Sequence, residues 1–374
     1  MTYFQPGRKD YNYMKQFILV GGKAKDTWGK DAFSRYVTHL DADGQTDDWM
    51  FDTFAFWHNQ SPRGGSLYSD INIGTTRTGE GNFFAVPVPN PGNREDWLSV
   101  LDWYFAPDVF AHALDEVIDQ AEQKLGKRDH KVNLVITIPY PGPLQTQFGE
   151  IGGQNLNFTT KGQNLDQATR QRLTACVWFV EEVIRRFQQE NFRHLNLLGF
   201  YWTFETVYRS WDMDDHWLLR ELHRELGKRN MKFFWIPFWS SYNVHLLDDY
   251  QNYYFDCAFL QPNYMFYQNI TDVKEAAQAA RQRNAGIEME FYAARNEPAE
   301  VKKERLRRFE RYLSGGVEFG YMKDSACAWF DGGRAIYRLY RNPDPMEGQI
   351  YDKIYRFTKG TYEPAGGTCI QEKR

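Results

Sequence analysis

The chain has 374 residues, enough for two ordinary domains or for one large α/β barrel. Hydrophobic residues make up 42 % and charged residues 25 %, the balance of a globular protein. The formal net charge is -4, and the sequence contains no basic block. This charge pattern argues against nucleic acid as a partner.

Strand-like apolar segments alternate with helical segments along the chain. The candidate strands are residues 16–22, 49–57, 132–143, 195–205, 231–239, 255–266, 286–292 and 317–323. The candidate helices are residues 108–125, 166–190, 214–230, 271–286, 297–316 and 347–360. Parallel strands need crossover helices, so the pattern predicts a single (β/α)₈ barrel domain over residues 1–374. A doubly wound open sheet is the alternative, but no GxGxxG motif follows the first strand.

A long segment follows the second candidate strand. Residues 58–93 are rich in Gly, Pro and Asn and exceed the usual length of a βα loop. We therefore expect a loop insertion that acts as a lid over the carboxyl ends of the strands.

The seventh candidate strand, "GIEMEFY" at residues 286–292, carries two glutamates in an apolar run. Successive strand side chains point to opposite faces, so Glu288 and Glu290 share one face and Ile287 and Met289 share the other. Neighbouring carboxylates repel, and their burial is costly. A strand that keeps both suggests a functional role for them.

Catalytic residues of these barrels lie at the carboxyl ends of the strands. Glu205 ends the fourth candidate strand, and Glu290 lies near the end of the seventh. Two carboxyl groups across an aromatic-rimmed cleft suit glycoside hydrolysis. We expect Glu205 and Glu290 to be catalytic and Glu288 to bind a hydroxyl group, although the sequence allows Glu288 and Glu290 to exchange roles. The predicted substrate-binding residues are Glu288, Asp52, Trp28, Trp57, Tyr140, Tyr201, Trp239, Tyr242, Asn263, Tyr264 and Tyr321.

Each of these residues also has a structural interpretation. Asp52 could be a buried hydrogen-bonding group, and Trp239 and Tyr264 could belong to the core. The strand-seven glutamates could be ion-paired, for example to Arg295.

The segments "VNLVITIPYPGP", "LLGFYWTFETV", "ELGKRNMKFFWIPFW", "CAFLQPNYMF" and "GIEMEF" carry a family resemblance. Residues from about 95 to 360 resemble an uncharacterised, glycoside-hydrolase-like family of bacterial domains common in gut Bacteroidetes. A broader similarity is to the clan of retaining glycosidases, whose acid/base Glu ends strand four and whose nucleophile Glu ends strand seven. The resemblance implies these roles for Glu205 and Glu290. The clan usually has Asn directly before the strand-four Glu, whereas this chain has Phe204.

The remaining residue patterns address cofactors, metals and location. Four cysteines and eight histidines form no CxxC, HExxH or HxH motif, so we expect no metal and no cofactor. No segment reaches 18 apolar residues, and the first residues lack the apolar core of a signal peptide. The sequence therefore predicts no membrane span and leaves localisation open, either cytoplasmic or secreted after removal of a signal.

Two further function classes compete with a glycoside hydrolase. A non-catalytic sugar-binding barrel, or a glycosidase homologue that has lost turnover, would use the same aromatic cleft for its oligo- or polysaccharide ligand. An isomerase or aldolase would need a strand-end Lys or a metal cluster, and Lys323 is the nearest match. The sequence leaves the sugar, the linkage and the oligomeric state open.

Overall fold

The computed structural model describes residues 1–22, 27–68, 71–72, 84–85, 90–239, 244–267, 270–292, 297–332, 334–344 and 347–365. Eight parallel strands pair in sequence order and close into a barrel. The strands are β1 (Gln16–Gly22), β2 (Thr53–His58), β3 (Val132–Ile138), β4 (Leu195–Trp202), β5 (Lys232–Trp235), β6 (Cys257–Leu260), β7 (Gly286–Glu290) and β8 (Cys327–Phe330). The predicted (β/α)₈ fold is confirmed.

Helices connect the strands and cover the outside of the barrel. They are α1 (Lys30–Val37), α2 (Arg94–Tyr104), α3 (Phe110–Leu125), α4 (Leu165–Glu190), α5 (Asp215–Lys228), α6 (Tyr250–Tyr253), α7 (Lys274–Gln282), α8 (Ala299–Glu318), α9 (Tyr321–Asp324), α10 (Ala335–Leu339) and α11 (Ile350–Thr358). Asn93 and Asn164 begin α2 and α4 with capping boxes, which satisfy otherwise unpaired amide groups. Gly126 ends α3 in the left-handed conformation that glycine adopts without strain.

Short elements lie outside the barrel. Three antiparallel pairs are Thr38–Leu40 with Thr46–Trp49, Ile71–Asn72 with Phe84–Ala85, and Gly149–Ile151 with Gln154–Leu156. Two 3₁₀ turns span Lys9–Tyr11 and Val244–Asp248. Among the described residues, no helix has the length and apolar character needed to cross a membrane.

Side-chain alternation divides the core into two layers. Phe17 and Leu19 of β1 belong to the cluster that fills the barrel lumen, whereas Ile18 and Val20 pack between the strands and the helices. Ile287 and Met289 of β7, and Phe291 directly after it, pack in the outer layer. The two-face arrangement predicted for the "GIEMEFY" segment is therefore confirmed on its apolar side.

A β-bulge in β4 changes which residues face the lumen. The register with β3 shifts between Leu197 and Gly199. Leu197 packs in the outer layer, but Tyr201 packs in the lumen, although both are odd-numbered. A Cβ atom at Gly199 would lie 2.0 Å from the carbonyl oxygen of Lys232, so glycine permits the close strand approach at the bulge. The shift directs Tyr201 and the following alternate residues towards the lumen.

The structure corrects the eighth predicted strand. Residues 317–323 do not form a strand, because α8 continues to Glu318 and α9 follows from Tyr321. The prediction ended the helix at Gly315 and Gly316, but both glycines are helical. A Cβ atom at Gly316 would lie 2.3 Å from the ring of Phe357, so the missing side chain lets α8 pack closely on α11.

The second strand and one helix start also differ from prediction. β2 begins at Thr53, because Thr46–Trp49 pairs instead with Thr38–Leu40. Helix α7 begins after Val273, without a side-chain cap from Thr271.

Candidate active site

A pocket lies at the carboxyl ends of the barrel strands. Its wall is formed by Leu19, Trp57, Asn59, Tyr68, Tyr201, Thr203, Glu205, Ile236, Gln261, Phe266, Glu288 and Phe330. Aromatic rings and aliphatic side chains dominate this wall, and two carboxyl groups interrupt it. An apolar pocket with a few converging polar groups is the usual form of a small-molecule site.

Glu205 follows β4 and lines the pocket. Burial, and then the negative charge of Glu290, together raise the pKa of its carboxyl group from 4.5 to about 8. A carboxyl group with this pKa holds a proton at neutral pH and can donate it to a ligand.

Glu290 ends β7 and is fully buried. Its Oε1 accepts a hydrogen bond from Nε2 of Gln261 at 3.0 Å, and its Oε2 accepts one from the backbone amide of Asn263 at 2.6 Å and another from the hydroxyl of Tyr312. Burial raises the pKa of Glu290 to about 7, and the three donors oppose that rise because they stabilise the anion. Asn263 holds its amide in place with a left-handed backbone at φ 60°.

Glu288 lies one inward position before Glu290 and lines the pocket. Burial, and then the charges of Glu290 and Glu205, raise its pKa well above the ordinary range. Nearby carboxyl groups cannot all ionise in a site of low polarity, so the cluster retains protons at neutral pH. Among the described residues, none of the three glutamates forms an ion pair; Arg295, the predicted partner, lies outside the described residues.

Two of the predicted aromatic residues lie in the pocket wall. Trp57 is half-buried at the end of β2, and its ring centroid is 6.4 Å from that of Phe330 on β8. Tyr201 on β4 is almost fully buried beside Glu205 and Glu288, whose charges add to burial in raising the pKa of its hydroxyl. Both side chains are therefore positioned to contact a ligand.

Two predictions of substrate contact are wrong. Trp28 is fully buried against Phe33 and Tyr36 beneath α1, so its ring belongs to the outer core. Asp52 precedes β2, and its carboxylate accepts hydrogen bonds from the backbone amides of Lys15 and Gln16. These groups lie at the amino ends of the strands, on the opposite side of the barrel from the pocket.

Four predicted residues lie near the strand ends but not in the pocket wall. The hydroxyl of Tyr140 donates a hydrogen bond to Oδ2 of Asp215 at 2.8 Å. The amide of Trp239 donates to the carbonyl of Gln261 at 2.7 Å, in a half-buried position. Tyr264 is buried with its ring centroid 6.1 Å from that of Tyr312. The fourth, Asn263, supports the site through its contact with Glu290, and contact of the four residues with a substrate stays a prediction.

Tyr242, after β5, and Tyr321, in the predicted eighth strand, are the two remaining aromatic residues that were predicted to bind substrate. Tyr242 lies outside the described residues. Tyr321 lies on α9, before β8, and its hydroxyl donates to the carbonyl of Tyr312. The prediction that Tyr321 ends strand eight is wrong, and the residue is fully buried.

The structure adds pocket residues that the sequence analysis did not select. Asn59 and Tyr68 come from the segment predicted as a lid, of which residues 69–70, 73–83 and 86–89 lie outside the described residues. Phe330 was missed because strand eight was misplaced, whereas a correct strand would have identified it as inward-facing. Tyr312 was missed because it lies on α8, whereas the sequence analysis looked for site residues only at the ends of strands.

A family model described as a domain of unknown function, DUF4855, matches residues 16–356. The chain belongs to this family. The match spans all eight strands of the barrel and confirms the predicted membership of a domain family without an assigned activity. No relative was found among curated proteins. The expected origin in gut Bacteroidetes stays a prediction.

Solved structures with similar chain paths include several carbohydrate-active enzymes. A GH18 chitinase from Pseudoalteromonas aurantia has 11 % identity and a TM-score of 0.39, with 90 % of this chain and 99 % of that chain covered. The pneumococcal protein StrH has 8 % identity and a TM-score of 0.40, covering 95 % and 86 %. A GH5-4 endoglucanase from an uncultured bacterium has 9 % identity and a TM-score of 0.36, covering 95 % and 97 %. Likeness at this level carries no argument about activity.

Proposed function

We propose that the DUF4855 chain is a glycoside hydrolase that cleaves a glycosidic bond in an oligo- or polysaccharide. The observation that carries the proposal is the group of three glutamates at the carboxyl ends of β4 and β7, one of them poised as an acid, beside the aromatic wall of the pocket. Glycoside hydrolysis needs a protonated carboxyl group and an ionised one on opposite sides of the bond. Aromatic faces hold sugar rings while amides bind their hydroxyls.

Glu205 takes the role of general acid in this proposal. Its pKa of about 8 keeps the proton available at neutral pH, and the negative charge of Glu290 supports that state. The acid protonates the leaving oxygen, and afterwards the same carboxylate accepts a proton from the attacking water.

Glu290 takes the role of nucleophile in a retaining mechanism. Its three hydrogen-bond donors make it the carboxyl group of the cluster best stabilised as an anion. Access opposes this assignment, because Glu290 is fully buried while Glu288 lines the pocket. Attack by Glu290 therefore requires its carboxylate to leave some of its three donors and reach the pocket when substrate enters, and an exchange of roles with Glu288 is the alternative within the same mechanism.

A trapping experiment tests the mechanism and identifies the nucleophile together. A panel of aryl glycosides first finds a substrate, and the matching 2-deoxy-2-fluoro glycoside then accumulates as a covalent glycosyl-enzyme. Mass spectrometry of the digested protein finds the labelled residue. A label on Glu290 supports its assignment as the nucleophile, and a label on Glu288 shows that Glu288 is the nucleophile instead. Turnover with inverted product and no label contradicts retention.

Variants test the acid. Glu205→Ala should slow glycosides with poor leaving groups far more than activated aryl glycosides, which need little protonation. Added azide should partly restore turnover and give a product of retained configuration. Glu300→Gln, at an exposed position on α8, is the matched control and should keep normal rates. Equal slowing of both substrate classes contradicts an acid role for Glu205.

A non-catalytic carbohydrate-binding barrel is the second candidate, and the complete burial of Glu290 favours it. This function predicts glycan binding without hydrolysis. Calorimetry that detects binding of a glycan, together with no product released from that same glycan on prolonged incubation, supports this candidate. Hydrolysis by the wild-type chain excludes this candidate.

A further inference from the structure

We propose that a second site, far from the pocket, binds a single zinc ion through Asp119, Glu122 and His194. Asp119 and Glu122 lie on α3, and His194 immediately precedes β4, so the group lies at the amino ends of the strands. One potential ligand atom from each residue lies within 4.8 Å of the other two. The site is independent of the proposed glycosidase.

His194 indicates a ligand at this site. The side chain is 1 % exposed, and its Nε2 has no hydrogen-bond partner among the described residues. Nδ1 lies 3.0 Å from the carbonyl oxygen of His130, which can only accept, so Nδ1 carries the proton. In the neutral ring, Nε2 then presents a lone pair to Oδ1 of Asp119 at 3.5 Å. The Asp119 side chain is 38 % exposed, but the histidine nitrogen is buried, and two acceptors that face each other there favour a cation or a proton between them.

The separation of these two atoms fits zinc. Zinc binds imidazole nitrogen and carboxylate oxygen at about 2.0–2.2 Å, and ligands 3.5 Å apart at that radius subtend roughly 110–120° at the ion, close to the tetrahedral angle. Calcium prefers oxygen ligands at about 2.3–2.6 Å in larger coordination shells, which suits an imidazole poorly. The hydrogen bond from Nδ1 to a backbone carbonyl is the usual outer support of a metal-bound histidine.

The protein backbone holds His194 in place. Its amide donates to Oδ1 of Asp115 at 2.7 Å, and its carbonyl accepts from the amide of Val132 at 2.9 Å. On the other side of the site, Nε2 of Gln123 donates to Oδ2 of Asp119 at 2.9 Å, which leaves Oδ1 directed at the histidine. The ligand atoms of Asp119 and His194 are therefore positioned before any ion arrives. Glu122 would bind through Oε2, because its Oε1 accepts a hydrogen bond from the backbone amide of His130 and lies 3.8 Å from Nδ1 of His194.

Arg193 competes for the place of the ion. Its Nη1 lies 3.0 Å from Oδ1 of Asp119, and its Nη2 lies 3.7 Å from Oε2 of Glu122. The arginine side chain is 62 % exposed, so it can move into solvent without loss of packing. An adjoining depression lined by Asp108, Asp115 and Glu116 attracts cations to the site. We infer that zinc displaces Arg193 and that water completes the coordination.

The position of the site at the amino ends of the strands indicates a structural role. Zinc would join α3 to the start of β4 and so connect two neighbouring βα units. Residues at this face of a barrel serve stability rather than chemistry. We therefore expect bound zinc to raise the melting temperature.

Titration calorimetry of the metal-depleted full chain with zinc chloride tests the proposal. Wild type should bind one equivalent, and Asp119→Asn, at a partly exposed position, should weaken the affinity by at least roughly 10- to 100-fold, the loss seen when supporting groups around a metal are removed. Arg193→Ala should bind zinc more tightly, because the competing cation is gone. Cobalt should give the visible spectrum of tetrahedral coordination.

A second arginine provides the control. Arg185 forms a comparable surface pair with Glu182 at 2.5 Å, without a histidine, so Arg185→Ala should leave zinc affinity unchanged. No saturable binding to wild type, or equal affinity in wild type and Asp119→Asn, overturns the proposal. Unchanged or weaker binding by Arg193→Ala also overturns it, since the pair would then be an ordinary ion pair.

Discussion

Replacement of Glu205 by glutamine should make the protein more stable at alkaline pH. The pKa of Glu205 is about 8 in the fold, against an ordinary value of 4.5, mainly because burial disfavours its charged form. A carboxyl group with a raised pKa contributes fully to stability below about pH 4.5, and that contribution is lost as the pH rises to about 8. Glutamine has nearly the same shape and never ionises, so the variant avoids the loss.

The size of the effect follows from the pKa. Each pH unit between the two values corresponds to about 1.4 kcal/mol, which sets an upper limit of about 5 kcal/mol for complete ionisation of Glu205. Because the side chain faces the pocket, solvent screens part of that cost, and we expect a gain of about 2–4 kcal/mol at pH 9. At pH 4 the two proteins should be equally stable.

Urea unfolding at pH 4, 6, 8 and 9 measures the difference between variant and wild type. Glu300→Gln, at an exposed position in the first turn of α8, is the control and should show only a small difference that does not grow between pH 6 and pH 9. A difference for Glu205→Gln that does not grow with pH, or a variant less stable than wild type at pH 9, refutes the reasoning. Either result would mean that the glutamate is ionised and stabilised in the fold.

Four further substitutions test other parts of the structure. Trp57→Ala should weaken glycan binding by roughly 1–3 kcal/mol in calorimetry, the scale of ring stacking, whereas Trp28→Ala should leave binding intact and lower the free energy of unfolding by about 3–5 kcal/mol. Tyr312→Phe should raise the pKa of Glu290 above about 7, so the acidic limb of the pH–rate profile should move to higher pH; an unmoved limb contradicts the role of this hydroxyl. Arg172→Met should lower the free energy of unfolding in urea by about 3–5 kcal/mol, because the buried carboxylate of Asp215 loses its partner. Stability close to that of wild type contradicts this.

The barrel and its carboxyl groups follow from local sequence patterns. Period-two alternation and flanking helices identify seven of the strands, because a strand must bury its apolar face whatever its neighbours are. The same alternation predicts which face of β7 carries Glu288 and Glu290. The eighth strand was misplaced, since the apolar run at residues 317–323 indicated a strand while Gly315 and Gly316 allowed α8 to continue through it.

Only the tertiary structure decided which of the predicted side chains reach the pocket and which other residues join them. A residue is assigned to one end of the barrel only if the limits of its strand are known. The second strand was predicted to begin at residue 49 but begins at Thr53, and so Asp52 was placed with the pocket residues although it lies at the opposite end of the barrel. The bulge at Gly199 depends on the close approach of β5 and determines that Glu205 faces the lumen. Glu290 accepts a hydrogen bond from Tyr312 on α8, the pKa of Glu288 depends on the charges of Glu290 and Glu205, and the pKa of Glu205 depends on the charge of Glu290. Such contacts join residues far apart in the chain, so they arise only when the barrel closes.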